Sequence, residues 1–317
     1  MARINSRKSG TSLSRFAVAA VVSALVGVSA GAASADTGSG TGTGTWGHLP
    51  AATKHAPTAR NGAAKVAATP TNAANPVFPL LGVDNANQGW LYGPNGTGGL
   101  TPREAVEGSL ANLANDAYVD NDADGYIDGE WQWSPTGDLH FWPDANTDKP
   151  IGGGWNIYDK VLSPGNLGGA QGYDIVARDA TGVLWLYLGY GDGTVTSRIK
   201  VGAGWDAYTQ LAGKGDLDGD GRADIVTRDT SGVLWFYKGT GNYNAPFAPR
   251  TRIGSGWNMF DTLVSSGDVD LDGKTDLVAR EPSGNLWLYR GTGNAAAPYQ
   301  ARVQIGYGYD IYRLMTS

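Results

Sequence analysis

The chain contains no cysteine and only three histidines among its 317 residues. A disulfide framework and a cysteine-ligated zinc site are therefore excluded, and catalysis by histidine is poorly supplied. The G-x-S-x-G elbow and the H-E-x-x-H helix motif are also missing. Long apolar runs are confined to "FAVAAVVSALVGV", which begins at Phe16 and is too short to read as a membrane span. Arg3, Arg7, Lys8 and Arg15 flank it on the basic side, and "ASA" ending at Ala35 supplies small residues for cleavage. Residues 1–35 read as a secretory signal, which implies a secreted, extracellular chain with no membrane span once mature.

Positive charge is the other shortage. Lys and Arg number 24 against 30 Asp and Glu; without the four leader cations the balance is 20 against 30, and the formal charge moves from -6 to -10. Such a surface repels polyanions, so nucleic acid is excluded as a partner.

Glycine, by contrast, is abundant. Residues 36–75, opening "DTGSGTGTGTWGHLP", carry Gly, Thr, Ala, Pro and Asn with no apolar periodicity and read as a disordered linker. His48 and His55 lie in it and read as solvated linker residues.

From residue 76 onward the sequence repeats. "TGVLWLYLG", "SGVLWFYKG" and "SGNLWLYRG" place Trp185, Trp235 and Trp287 at intervals of 50 and 52 residues, and weaker copies surround Trp90 and His140. A second marker keeps step: "GGGWNIYD", "GAGWDAYT", "GSGWNMFD" and "GYGYDIYR" set Trp155, Trp205, Trp257 and Tyr309 apart by 50, 52 and 52. Each unit holds four short β-type runs between Gly, Asn, Asp or Pro turns, which predicts an all-β propeller of about five four-stranded blades over residues 76–317. The first copy lacks its opening strand and the last ends in a lone one, "GYDIYRLM". Pairing of that C-terminal strand into the first blade would close the ring and remove open edges. An open stack, or a ring completed by a second chain, is the alternative.

Three stretches obey D-x-D-x-D-G-x-x-D: Asp120 to Asp128, Asp216 to Asp224, and Asp268 to Asp276. Carboxylates at positions 1, 3 and 5, glycine at 6, a backbone carbonyl at 7 and a last carboxylate at 9 surround one hard cation with oxygen. The expected ligands are Asp120, Asp122, Asp124, Tyr126 and Asp128; Asp216, Asp218, Asp220, Arg222 and Asp224; and Asp268, Asp270, Asp272, Lys274 and Asp276. About three Ca2+ ions are expected. Zinc would seek His or Cys, and magnesium a stricter octahedron. The loops are not EF-hands, because position 12 is Trp131, Thr227 or Ala279. The matching stretch "NLGGAQGYD" keeps one carboxylate, Asp174, and should hold no ion.

The motifs "DGDGRADIV", "SGVLWFYKG" and "IGSGWN" resemble the FG-GAP or VCBS calcium-loop repeats of integrin alpha chains and secreted bacterial proteins. The resemblance implies a β-propeller, structural calcium on its loops, and adhesion or ligand binding without specifying the ligand.

The leading expectation for function is a non-catalytic binding module for carbohydrate or cell-surface ligands. Aromatics such as Trp131, Trp133, Trp142, Trp155, Trp205 and Trp257 are read as exposed platforms for sugar rings. Trp155, Trp205, Trp257 and Tyr309 in the glycine turns are the candidate ligand residues, with packing between blades as the competing role; this pattern also resembles small propeller lectins. Two alternatives are a protein-binding adhesin, and a hydrolase accessory or glycan-active enzyme. Glu104, Glu107 and Glu130 are the acids available to the latter, and "SRIK" from Ser197 matches S-x-x-K but occupies a strand slot.

Overall fold

Short runs of β-branched and aromatic residues, punctuated by turns, can only pair with their immediate neighbours, and that local pairing builds the molecule. A computed structural model describes residues 75–169 and 172–317; the leader, and the linker up to residue 74, lie outside the described residues.

The first blade holds β1 (Leu80–Asp84), β2 (Gln88–Tyr92) and β3 (Glu104–Ser109). The second is β4 (Asn115–Val119), β5 (Gly129–Trp133), β6 (Leu139–Asp144) and β7 (Thr147–Gly152). The third is β8 (Tyr158–Gly165), β9 (Asp174–Asp179), β10 (Leu184–Tyr187) and β11 (Ile199–Gly202). The fourth is β12 (Tyr208–Ala212), β13 (Ile225–Asp229), β14 (Leu234–Tyr237) and β15 (Thr251–Gly254). The fifth is β16 (Thr262–Gly267), β17 (Asp276–Arg280), β18 (Leu286–Tyr289) and β19 (Val303–Gly306). The last strand, β20 (Tyr312–Thr316), returns to the first blade and pairs antiparallel with β1, setting Leu81 opposite Thr316 and Val83 opposite Leu314. The expected closure is thus made within one chain. Gly82 is required there, since a Cβ would come within 2.9 Å of the Tyr312 ring.

The inner strands β20, β4, β8, β12 and β16 touch one another in a ring around a central channel. The core is distributed in four clusters between blades rather than gathered at one centre. As the chain passes from one blade's outer strand to the next blade's inner strand, it makes a short 3-10 turn that seats one aromatic wedge: Trp155, Trp205, Trp257 or Tyr309. Each wedge donates its backbone N–H to a turn glycine of the preceding blade, Gly137, Gly182, Gly232 and Gly284 respectively. Leu110 makes the same bond to Asn87, so it is the fifth wedge. Sequence reading missed it because the aromatic marker is gone; Gly108, two residues earlier, is the surviving trace.

Arginines lock four of these joints, the one at Leu110 through Arg313, which donates to the carbonyls of Leu110 and Leu113. Arg178 donates to the carbonyls of Trp205 and Tyr208, Arg228 to those of Trp257 and Phe260, and Arg280 to those of Tyr309 and Tyr312. In each pair the first carbonyl already accepts the backbone N–H of the residue three further on, and the guanidinium adds a second donor there and bonds the other carbonyl.

Candidate metal centres and ligand seams

The three acidic loops each join an inner strand to the next strand of its blade, all at the same end of the channel. Tight wrapping needs left-handed backbone at position 6, and Gly125, Gly221 and Gly273 supply it with φ of 89°, 85° and 89°. The first aspartate shapes the loop by accepting the N–H of that glycine: Asp120 at 2.8 Å, Asp216 at 2.6 Å and Asp268 at 2.7 Å. The ninth aspartate accepts N–H groups from positions 2 and 3.

The outcome is three acidic triads, Asp120 with Asp122 and Asp128, Asp216 with Asp218 and Asp224, and Asp268 with Asp270 and Asp276, each presenting oxygens within 4.8 Å of one another. Positions 1, 3 and 9 therefore converge. Position 5 stands beside them: Asp124, Asp220 and Asp272 accept the N–H of Tyr126, Arg222 and Lys274. Burial, then repulsion from neighbouring aspartates, pushes Asp120 up to about 7, Asp224 to about 8 and Asp276 to about 7. A cation among the carboxylates relieves both penalties. One buried oxygen, Asp270 Oδ1, has no hydrogen-bond donor. The all-oxygen donor set and that orphaned atom fit a hard cation rather than zinc.

The loops differ in how far the protein neutralises them. Lys238 Nζ lies 2.5 Å from Asp218 and 2.9 Å from Asp220, and Arg290 lies 2.9 Å from Asp270. In the loop that ends at Asp174, this carboxylate accepts the N–H groups of Leu167 and Gly168, which preserves the turn without a triad. Ala170 and Gln171 of that loop lie outside the described residues.

One segment reaches all three loops. Val77 N–H donates to Gly125, Asp216 N–H donates to Asn75 Oδ1, Asn75 Nδ2 donates to Gly273, and Asp268 N–H donates to Pro76. Asn75, read from sequence as the last linker residue, thus belongs to the folded unit. Nothing in "TNAANP" marks that role, because its partners lie 141 and 198 residues away.

The aromatic candidates require a correction. Trp131, Trp133, Trp142, Trp155, Trp205, Trp257 and Tyr309 are all buried, between 1% and 8% exposed. The wedges are consumed by packing: Trp155 lies 4.6 Å from Tyr187, Trp205 4.8 Å from Tyr237, Trp257 4.5 Å from Tyr289 and Tyr309 5.1 Å from Tyr92. Blades whose sheets are not continuous with one another are joined largely by big side chains, so the most regular aromatics become the seal. The strand tryptophans are half-buried, each under an arginine: Arg198 over Trp185 at 4.2 Å, Arg250 over Trp235 at 4.1 Å and Arg302 over Trp287 at 4.1 Å.

The seams are nevertheless not equal. Phe247 lies 5.8 Å from both Trp205 and Tyr237, and Tyr299 lies 6.2 Å from Tyr289, filling two of them. The corresponding bridge position in the third blade is Val195, paired with Gly189 as Phe247 is with Gly239 and Tyr299 with Gly291. There a cavity of about 290 Å3 lies beside Trp155, Tyr158, Tyr187, Val195 and Gly152 to Gly154.

Residues 216–279 match the family described as FG-GAP-like repeat. This segment is an FG-GAP-like repeat. It opens on the first carboxylate of the second acidic loop and ends just past the third, so it spans one full period of the propeller. No curated protein sequence matches the chain. Among solved structures, the BP39L lectin from Burkholderia pseudomallei is 14% identical with a TM-score of 0.44, covering 74% of this chain and 71% of that one. YCF48 from Cyanidioschyzon merolae is 12% identical with a TM-score of 0.35, covering 75% and 89%. A protein of unknown function from Bacteroides caccae is 9% identical with a TM-score of 0.37, covering 72% and 73%. The two acidic loops inside that match, and the first loop outside it, sit on a closed five-bladed ring. Among the described residues no helix is long and apolar enough to cross a membrane.

Proposed function

We propose that the protein is a secreted, non-catalytic binding module, stabilised by calcium in its FG-GAP-like loops, that holds a carbohydrate ring between its second and third blades. The observation that carries this reading is the cavity beside Val195. Its walls include Tyr158, Tyr187, Val195 and the 8% of Trp155 that packing leaves exposed, against which the apolar face of a sugar would pack. The Tyr158 and Tyr187 hydroxyls, 2.5 Å apart, and the backbone of Gly152 to Gly154 offer polar partners for its hydroxyls. Added Cβ atoms at Gly152 and Gly154 would meet nothing within 4 Å, so this rim is open. A volume of about 290 Å3 suits a single hexose.

Calcium has a supporting part. Residues Asp120, Asp122 and Asp128, with their counterparts in the other two loops, would hold the ion, which supplies positive charge where burial has gathered acids. At ten times the dissociation constant each ion adds about 1.4 kcal/mol to stability. The leader-like residues 1–35 support export to a compartment where calcium is plentiful.

A glycan array probed in calcium, followed by calorimetry on the wild type and Val195→Phe, tests the reading. The variant copies Phe247 of the next blade and should keep its melting temperature while losing glycan affinity at least tenfold. Unchanged affinity in a correctly folded variant would remove the seam from the explanation; turnover of a glycan would replace the binding module by an enzyme.

A further inference from the structure

The axial channel is a second chemical environment, which meets the seam pocket at Trp155 and Tyr158. Its volume is about 470 Å3, and every blade's inner strand lines it. The repeat gives its walls an order. Five residues beyond each wedge stands one ring of side chains: Asn115, Lys160, Gln210, Thr262 and Leu314. Two residues deeper comes a narrower collar of Ala117, Leu162, Ala212, Val264 and Thr316. Below it lie Ser163, Gly213, Ser265, Ser317 and the fully buried Lys214. The far end is stopped by Phe78, whose ring lies 5.3 Å from Lys214 Nζ and 5.9 Å from the Tyr118 ring, and whose N–H donates to Ser266. The channel is blind, polar at both ends and apolar at its waist.

Its charge is opposite to that of the protein. The chain as a whole carries -6, yet the lining has Lys160, Lys214 and Arg313 against a single acid, Asp159; of these Lys214, pushed down to about 7 by burial, faces the buried Asp116 behind the wall. Asp159 is already committed to Arg178 through two bonds. Arg313 is committed to Asn87 and to the carbonyls of Leu110 and Leu113, and Lys214 to the carbonyl of Tyr118. Lys160 is the exception: its ammonium has no hydrogen bond or ion pair among the described residues. It is half-buried, and burial together with nearby Arg178 and Arg228 holds its pKa below the usual lysine range. A half-buried ammonium with cationic neighbours is the kind of group that an anion relieves most.

From these features we infer that the channel is a second binding site, for a hydroxylated carboxylate such as a short acidic saccharide, with its carboxylate on Lys160 and its carbon skeleton in the collar. Four residues of strand separate Lys160 from the level of Lys214, about 13 Å at the usual rise per residue. A ligand of one or two sugar rings fits that depth. At the level of Lys160, Thr262 lines the wall, while Gln210 Nε2 is committed to the Asp261 carbonyl and Asn115 to Val161 and Thr316, so Lys160 is the group left to meet the carboxylate. The inference does not depend on the seam reading: the pockets share Trp155 and Tyr158, but Lys160 lines the channel alone and Val195 the seam alone, so the two are separable by mutation there.

The test is calorimetric titration of the folded full chain, in calcium, with galacturonate and digalacturonate against uncharged galactose and galactobiose. The acids should bind, and raising sodium chloride should weaken them. Lys160→Gln should lose digalacturonate affinity at least tenfold without a change in melting temperature, Lys160→Arg should retain most of it, and Val195→Phe should leave it unaltered. Three results would overturn the inference: no binding of either acid by the wild type, equal binding by Lys160→Gln, or loss of acid binding in Val195→Phe, which would place the acids in the seam.

Discussion

Asp216 N–H donates to Asn75 Oδ1 at 2.8 Å, which pins the second acidic loop to a segment 141 residues earlier in the chain. The same side chain holds Gly273 at 3.0 Å and accepts from Thr275. One short polar residue thus aligns two FG-GAP-like loops. Asn75→Ala should cost about 1 to 3 kcal/mol and weaken calcium at the second and third loops while sparing the first. Denaturant melts with calcium titrations read both effects; an unaltered titration would make Asn75 a stability residue only.

Calcium dependence itself is checked with a chelator. The melting temperature should fall when EGTA is added, and Asp122→Ala, which removes a triad carboxylate with no ion pair among the described residues, should cost more stability in calcium than in EGTA. Equal losses in the two conditions would remove the ion from the account.

Lys238 competes with any cation at the second loop, because it sits 2.5 Å from Asp218. Lys238→Met should therefore tighten calcium at that loop while destabilising the calcium-free protein, where two carboxylates lose their counter-charge. Calorimetry on wild type and variant separates the two; weaker calcium binding would mean that Lys238 organises the site instead of occupying it.

A buried acid stands in one seam without a partner. Asp116 is 1% exposed, neither of its carboxylate oxygens has a donor, and Val161, Leu211 and Leu263 hold the same position in other blades. Burial, only partly offset by Lys214, pushes its pKa from 3.8 up to about 8. The folded protein then binds this proton more tightly than the unfolded chain, so the contribution is lost as pH rises from about 4 towards about 8. Asp116→Leu should stabilise by about 1 to 4 kcal/mol, with a larger gain at pH 8 than at pH 5. Melting curves at the two values decide it, and a pH-independent gain would mean that packing alone is responsible.

The inter-blade clasps make a separate prediction. Arg228→Ala removes the guanidinium from the carbonyls of Trp257 and Phe260, of which Trp257 keeps the Phe260 N–H, and should cost about 2 to 4 kcal/mol. Arg302→Ala, which removes a cation stacked over a half-buried Trp287, should cost about 1 kcal/mol or less. Similar losses in the two variants would show that the clasp bonds matter no more than the surface stacking.

The repeat period, the four strands per blade, the closing partnership of β20 with β1 and the three acidic loops were all legible in the amino-acid order. Each follows from local rules: alternation, turn residues, and ligand spacing within nine positions. Tertiary structure alone decided which aromatics are sealed, since Trp155, Trp205 and Trp257 show the same "GW" signature whether a neighbouring blade covers them or not. It also decided that Val195 leaves a space which Phe247 and Tyr299 fill in their own seams, that Leu110 serves as a wedge without an aromatic ring, and that Asn75 ties two distant loops. These depend on meetings between residues about 20 to 200 positions apart, and spacing along a chain carries no record of such meetings.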